Sequence, residues 1–174
     1  MSKKISGISI ECTKGDIAAQ PDLDAVVNAA NKDLVIGGGV AGAIHRKAGP
    51  KLEEESAKLG PIKPGQAVIT GAYQLSNKFV IHCLGPVYGK DKPEDRLLAD
   101  CYRNALYLAE QNKIKSIGFP AISTGAFGYP IKLAIKVVKE VVEEIVPKLS
   151  NLEKIKFVLY NQDNLKIYQQ TFKT

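Results

Sequence analysis

Short apolar runs alternate with helix-period segments along this chain, and that alternation restricts the fold more than any other feature. Residues 25–30 and 114–119 are short and apolar throughout, as expected of strands buried on both faces. Residues 5–12 alternate loosely and read as a first strand, residues 66–70 and 78–83 are β-rich with turn residues between them, and 155–160 closes the series. Between these runs the period changes to that of a helix. Residues 40–59 read as one or two helical pieces interrupted near Gly49-Pro50. Pro93 opens a helix whose Leu98, Cys101, Tyr102, Ala105, Leu106 and Ala109 fall on one face. Residues 131–146 repeat the pattern with Ala134, Val138, Val141, Val142 and Ile145, and residues 164–172 read as a last helix. The pattern predicts a three-layer α/β/α sandwich around a central mixed sheet of about six strands, all within one domain spanning residues 1–174.

Composition excludes several functions. Hydrophobic residues make up 45% and charged residues 24%, ordinary for a soluble globular chain. No apolar run approaches the ~18–20 residues that cross a bilayer. The start, Met1-Ser2-Lys3-Lys4, opens like an export signal, but Gly7 and Glu11 break the apolar stretch. Cys12, Cys83 and Cys101 share no metal-type spacing and suit a reducing cytoplasm. No metal site is expected from them and the two histidines. The net charge of +6 is compatible with an anionic ligand, but the lysines are scattered among glutamates. Without tryptophan or basic–aromatic interleaving, a nucleic-acid surface is not expected.

Two loops carry the chemistry. Gly37-Gly38-Gly39 follows the strand-like run that ends in Asn28-Ala29-Ala30-Asn31 and leads into a helix. Glycine amides at a helix N-terminus suit a phosphate or pyrophosphate. Gly37-x-Gly39-x-x-Gly42 also matches the dinucleotide fingerprint as a string. That match is weak, because six residues separate Ala30 from the glycines and position 62 is isoleucine instead of an acid. No P-loop motif occurs. The second loop, residues 120–130, also follows a buried strand and precedes a helix. Adjacent strands would let both loops close on one diphosphate. Read from the residues alone, Asp16 is a turn residue and Tyr160 a strand tyrosine. His82 reads as a core histidine, and His45 either floors the pocket or braces the loop.

Several motifs in order resemble a macro domain: Gly15-Asp16-Ile17, Val27-Asn28-Ala29-Ala30-Asn31, Gly37-Gly38-Gly39-Val40 and the segment from Ala43 to Gly49. Ile81-His82 with Gly85-Pro86, and Pro120-Ala121-Ile122-Ser123-Thr124-Gly125, extend the resemblance over nearly the whole chain. It implies ADP-ribose binding, and many members of the family remove ADP-ribose from proteins. By the same resemblance Asp16 and the Ile17 amide would meet adenine, with Tyr160 stacked on it. Ala29, Gly37 and the amides of Gly38, Gly39 and Val40 would hold one side of the diphosphate and distal ribose. The amides of Ser123, Thr124, Gly125, Ala126 and Phe127 would hold the other. Asn31 would bond the ribose hydroxyls and the Phe127 ring would lie against that sugar, so Asn31, Gly39 and Phe127 form the implied catalytic set. Asn28 reads as a scaffold carboxamide, and either asparagine could instead cap the turn that follows it.

One departure matters. Hydrolytic members commonly carry aspartate after the Gly-Gly-Gly-Val segment, and this chain has Ala41. Carboxylate acid–base catalysis is therefore absent at that position. For members that carry alanine there, the resemblance implies a positioned water assisted by the ligand's own phosphate, which suits ADP-ribose esters of acidic residues and also O-acetyl-ADP-ribose. A reader module without turnover is the competing expectation, and an RNA-binding protein is a third. The expected partners are ADP-ribose and mono-ADP-ribosylated proteins. No membrane, no nucleic acid and no cofactor are expected, for a cytoplasmic monomer.

Overall fold

A computed structural model describes residues 2–174. In chain order the elements are β1 (Ser2–Ile5), β2 (Ile8–Lys14), β3 (Ala25–Ala29), α1 (Gly39–Ala48), α2 (Pro50–Ser56), β4 (Ala67–Gly71) and β5 (Phe79–Cys83). They continue with α3 (Glu94–Gln111), β6 (Ser116–Phe119), α4 (Ile131–Ile145), β7 (Lys154–Leu159) and α5 (Gln162–Phe172). The strands form one sheet in the order β1-β2-β7-β6-β3-β5-β4. Its interior pairs are parallel, and each edge strand is antiparallel to its neighbour.

The sheet has seven strands where the sequence pattern predicts about six. Residues 5–12, read as one strand, contain the turn of a hairpin: Ser6 and Gly7 both take positive φ, at 48° and 83°, and reverse the chain between β1 and β2. Positive φ at both central residues is what a tight hairpin turn demands. β1 escapes the sequence pattern because its residues are almost all exposed, so it carries no apolar alternation of its own.

Helices α3, α4 and α5 cover one face of the sheet and α1 and α2 the other. All six residues predicted for the inner face of α3 are buried, as are the five predicted for α4. A chain of aromatic rings crosses the larger layer, with Tyr102–Phe119 centroids 5.0 Å apart, Phe119–Phe157 5.9 Å and Phe157–Phe172 5.0 Å. Such pairs add stability beyond the area they bury, about 0.5–1.5 kcal/mol each.

The connections diverge between β3 and β6. From β3 the chain passes through α1 and α2 to β4 and β5 on one side. From β6 it passes through α4 to β7 on the other. β3 and β6 are hydrogen-bonded neighbours, with Ala25 opposite Ile117. Their divergence opens a crevice at their carboxyl ends, the usual ligand position in an open α/β sheet.

Candidate functional site: a cleft between two amide-lined loops

The crevice is a cleft of about 310 Å³ lined by residues from three loops. Ala29 ends β3, Ala30, Asn31, Gly37 and Gly38 lie in the loop after it, and Gly39 to Ala41 open α1; Gly85 comes from the loop after β5, and Ala121 to Ser123 with Gly125 to Phe127 from the loop after β6. Both glycine-bearing loops thus meet across one space, as their sequence positions predict. Ala30, Gly85, Ala121 and Ile122 also line the cleft, and the sequence marks them only as members of the quoted motifs.

The first loop is held from below. Asn31 Nδ2 donates to the Val35 carbonyl at 2.8 Å, and the Val35 N–H donates to Asn31 Oδ1 at 3.1 Å. Helix α2 adds two ties: Ser56 Oγ donates to Leu34 O at 2.6 Å, and Glu53 Oε1 accepts the Ile36 N–H at 3.1 Å. Asn31 therefore caps its own turn while lining the cleft. Its second amide hydrogen and a further oxygen lone pair remain for a ligand.

The three glycines serve different ends. A Cβ on Gly37 would lie 3.0 Å from Asn31 Nδ2, so the glycine admits the carboxamide. Gly39 begins α1 at φ +54°, where side chains are rarely tolerated. A Cβ on Gly38 would meet nothing within 4 Å. Helix α1 starts with no side-chain cap and no acidic residue in its first turn. Its amides and positive dipole end therefore face the cleft without a protein counter-charge.

The second loop is pinned to α3. The buried Tyr102 hydroxyl donates to Pro120 O and accepts the Ile122 N–H, both at 3.3 Å. Tyr129 N donates to Ser123 O at 2.9 Å, and Tyr88 N donates to Phe127 O at 2.9 Å. Among the described residues, the N–H groups of Ser123, Gly125, Ala126 and Phe127 have no protein acceptor. Thr124 differs: its N–H and its hydroxyl both reach Ala121 O, at 3.3 and 2.8 Å, and it does not line the cleft.

A family model described as Macro domain matches residues 27–138, which contain both loops. The chain belongs to the macro domain family. A macro domain-containing protein of Methanosarcina mazei is 49% identical over 158 residues, covering 90% of this chain and 84% of that one. The O-acetyl-ADP-ribose deacetylase of Salmonella typhimurium is 44% identical over 164 residues, covering 91% of each. A glycine-to-valine variant of the Oceanobacillus iheyensis macrodomain, solved with ADPR, superposes with a TM-score of 0.94. It is 36% identical, and the match covers 99% of this chain and 96% of that one.

Three predicted ligand residues stand apart from the macro domain cleft, at the carboxyl ends of β2 and β7. Asp16 is exposed and its Oδ1 accepts the Ala18 N–H at 2.9 Å, so it closes a turn. Ile17 buries its side chain in the core cluster that also holds Leu23 and Val158. Tyr160 follows β7 directly and is 89% exposed, unlike the half-buried strand tyrosine expected from sequence alone. They share the sheet edge with the cleft but do not line it.

Beneath α1 lies a polar ladder. Asn28 Nδ2 is 3.1 Å from His82 Nδ1, and His82 Nε2 is 2.9 Å from Thr70 Oγ1. Thr70 donates its hydroxyl to Gly71 O at 3.0 Å, so it accepts from His82 Nε2–H, and Nδ1 accepts from Asn28. Burial, helped by the nearby His45, pushes the His82 pKa down to about 3, leaving it neutral. His45 is buried too, its pKa lowered by desolvation against an opposing pull from Glu53. It does not line the cleft, and neither of its ring nitrogens has a protein partner among the described residues. Both histidines are core residues of α1 and β5. Among the described residues no His/Cys/Asp/Glu cluster could hold a metal ion. No described helix is long and apolar enough to cross a membrane.

Proposed function

We propose that this macro domain binds ADP-ribose in the cleft and hydrolyses the ester that links mono-ADP-ribose to acidic residues of proteins. The carrying observation is the chemistry of the lining. Two arrays of amides without protein acceptors face each other, and no lining side chain is a carboxylate, imidazole, amine, guanidinium, thiol or phenol. Such a site recognises a diphosphate through backbone donors and the end of a helix dipole. The ADPR-bound O. iheyensis structure supports this ligand.

The same lining restricts the reaction. With no protein acid or base in reach, the leaving group must depart without a proton. A carboxylate does so. Water attacks the distal anomeric carbon, its oxygen becoming the sugar hydroxyl, while a ligand phosphate oxygen takes its proton. The bond from that carbon to the acyl oxygen breaks, and the electron pair leaves on the carboxylate. Asn31, the Gly39 amide and the Phe127 ring would fix the sugar for that attack. The deacetylase name of the Salmonella relative supports an ester as the bond cleaved and makes O-acetyl-ADP-ribose a second substrate to assay. The reading takes residues 1–174 as one macro domain acting as a cytoplasmic monomer.

The test is release of ADP-ribose from a protein mono-ADP-ribosylated on glutamate, with substrate in excess. Multiple turnovers are expected, with no release from an arginine-linked substrate. Binding of ADP-ribose without turnover would make the chain a reader, the reading that Ala41 favours. Asn31→Ala is expected to lose both bonds to Val35 and about 1–2 kcal/mol of stability in urea denaturation. Its turnover should fall further than its ADP-ribose affinity, because the loop that orients the sugar loosens. Equal losses in both would make Asn31 a plain binding residue.

A further inference from the structure

Arg46 folds its guanidinium back along α1 onto the outer side of the first glycine loop. A Cβ at Gly42, one helical turn earlier, would lie 2.7 Å from Arg46 Nη1 and 2.5 Å from the Gly37 carbonyl oxygen, so the bare glycine lets the cation lie beside that main chain. The other side of Gly37 faces the cleft. It lines the space, and a Cβ on it would stand 3.0 Å from Asn31 Nδ2 and 3.9 Å from the Ala41 Cβ. The guanidinium therefore sits behind the end of the cleft marked by Asn31 and Ala41, the end assigned above to the distal sugar and its ester.

The fold leaves this charge unused. Arg46 is exposed, and among the described residues its guanidinium makes no ion pair. Arg103 on α3, by contrast, is held by Asp100 at 3.0 Å and Glu144 at 2.9 Å. Glu53, on the neighbouring α2, gives its Oε1 to the Ile36 N–H instead. Ile36 itself precedes Gly37 and is 47% exposed, so this rim joins an open apolar side chain to an unopposed cation. Charge complementarity then selects the occupant. The ligand's diphosphate is met by amides inside the cleft, and an esterified glutamate carries no charge until it is released. The anion that Arg46 matches must come from elsewhere on the modified polypeptide, which has to leave the cleft over its rim.

We propose that Ile36 and Arg46 form the docking rim for the polypeptide that carries the ADP-ribosylated residue, with the Arg46 guanidinium pairing to a second acidic side chain of that segment. The inference rests on the reading of the cleft as an ADP-ribosyl ester hydrolase. It names the substrate class within that reading: acid-linked ADP-ribose in acidic stretches of protein, in preference to isolated sites.

Two peptides, each ADP-ribosylated through one glutamate and flanked by aspartates or by serines, are assayed with the parent chain, Arg46→Gln and Arg46→Lys, alongside O-acetyl-ADP-ribose. At low salt the parent is expected to show a KM about threefold to fivefold lower for the aspartate-flanked peptide, the worth of one exposed ion pair. That preference should vanish at about 0.5 M salt. Arg46→Gln should lose it with kcat unchanged, and Arg46→Lys should keep it. Both variants should match the parent on O-acetyl-ADP-ribose and in ADP-ribose affinity. A parent that treats the two peptides alike would overturn the proposal. So would an equal loss by Arg46→Gln on O-acetyl-ADP-ribose, because the guanidinium would then serve the departing carboxylate or brace the loop. If the parent binds ADP-ribose but cleaves none of the three substrates, the hydrolase reading fails on its own. The docking rim is then read from the affinities of the two intact peptides, and equal affinities overturn it as well.

Discussion

Gly42→Ala is expected to weaken ADP-ribose binding at least tenfold while leaving the helix content unchanged. On propensity alone the substitution should help, since alanine is favoured over glycine in a helix interior by about 1 kcal/mol. Sterics decide otherwise. A Cβ at position 42 would lie 2.5 Å from the Gly37 carbonyl oxygen and 2.7 Å from Arg46 Nη1. The arginine can swing away, but the carbonyl belongs to the main chain of the cradle. That main chain is tied upstream by the Asn31 clasp and lines the cleft, so displacing it disturbs the cradle. Overpacking of this kind costs typically about 1–3 kcal/mol, enough to cancel the propensity gain. Circular dichroism and a calorimetric titration read the two effects separately. A more stable variant with unchanged affinity would show that the loop is free to move and that Gly42 is dispensable.

The same residue shows what a string match can and cannot convey. Gly37-x-Gly39-x-x-Gly42 reads as a dinucleotide fingerprint, and the spacing from β3 argues against it. The third glycine nonetheless has a steric reason to be there. It lets α1 pack under the carbonyl of its own entry loop. The motif is right about close approach and wrong about which surfaces approach.

Features with a local period were legible. The buried face of α3 could be read residue by residue, because six apolar positions at helical spacing have one economical burial. The meeting of the two loops followed from two strand–loop–helix units, and β3 and β6 are indeed neighbours. What the chain does not display is the bracing. Ser56 supports Leu34 across 22 residues, and Tyr102 pins Ile122 across 20, each through a side chain whose local pattern says only helix or core. The resemblance to the family implies a ligand amide at Thr124. Its turn toward Ala121 depends on a backbone conformation that the residue types alone do not specify. The Ser6-Gly7 reversal was missed because a loose alternation continues across it.

Acid should destabilise this protein well before its carboxylates protonate. In the unfolded chain both histidines titrate near the ordinary value of about 6.5. In the fold their pKa values are depressed, His82 to about 3. The folded state therefore holds fewer protons than the unfolded state at pH below 6.5, and stability falls as pH falls through that window. The loss approaches about 1.4 kcal/mol per pH unit for each histidine that stays neutral. Glu144, held low by the Arg103 guanidinium, stays ionised there and adds nothing to the slope. Urea midpoints measured between pH 7.5 and 5.0 should drop steadily below 6.5. His45→Met separates the two contributions. It replaces a ring whose nitrogens have no protein partner, so stability at neutral pH should hold or rise while the acid slope becomes shallower. His82 cannot be removed as cleanly, because Asn28 and Thr70 would be left facing an unpaired site. A flat profile between pH 6.5 and 5.0 would mean that protonated imidazoles are accommodated in the core. An unaltered slope in His45→Met would assign the whole effect to the ladder under α1.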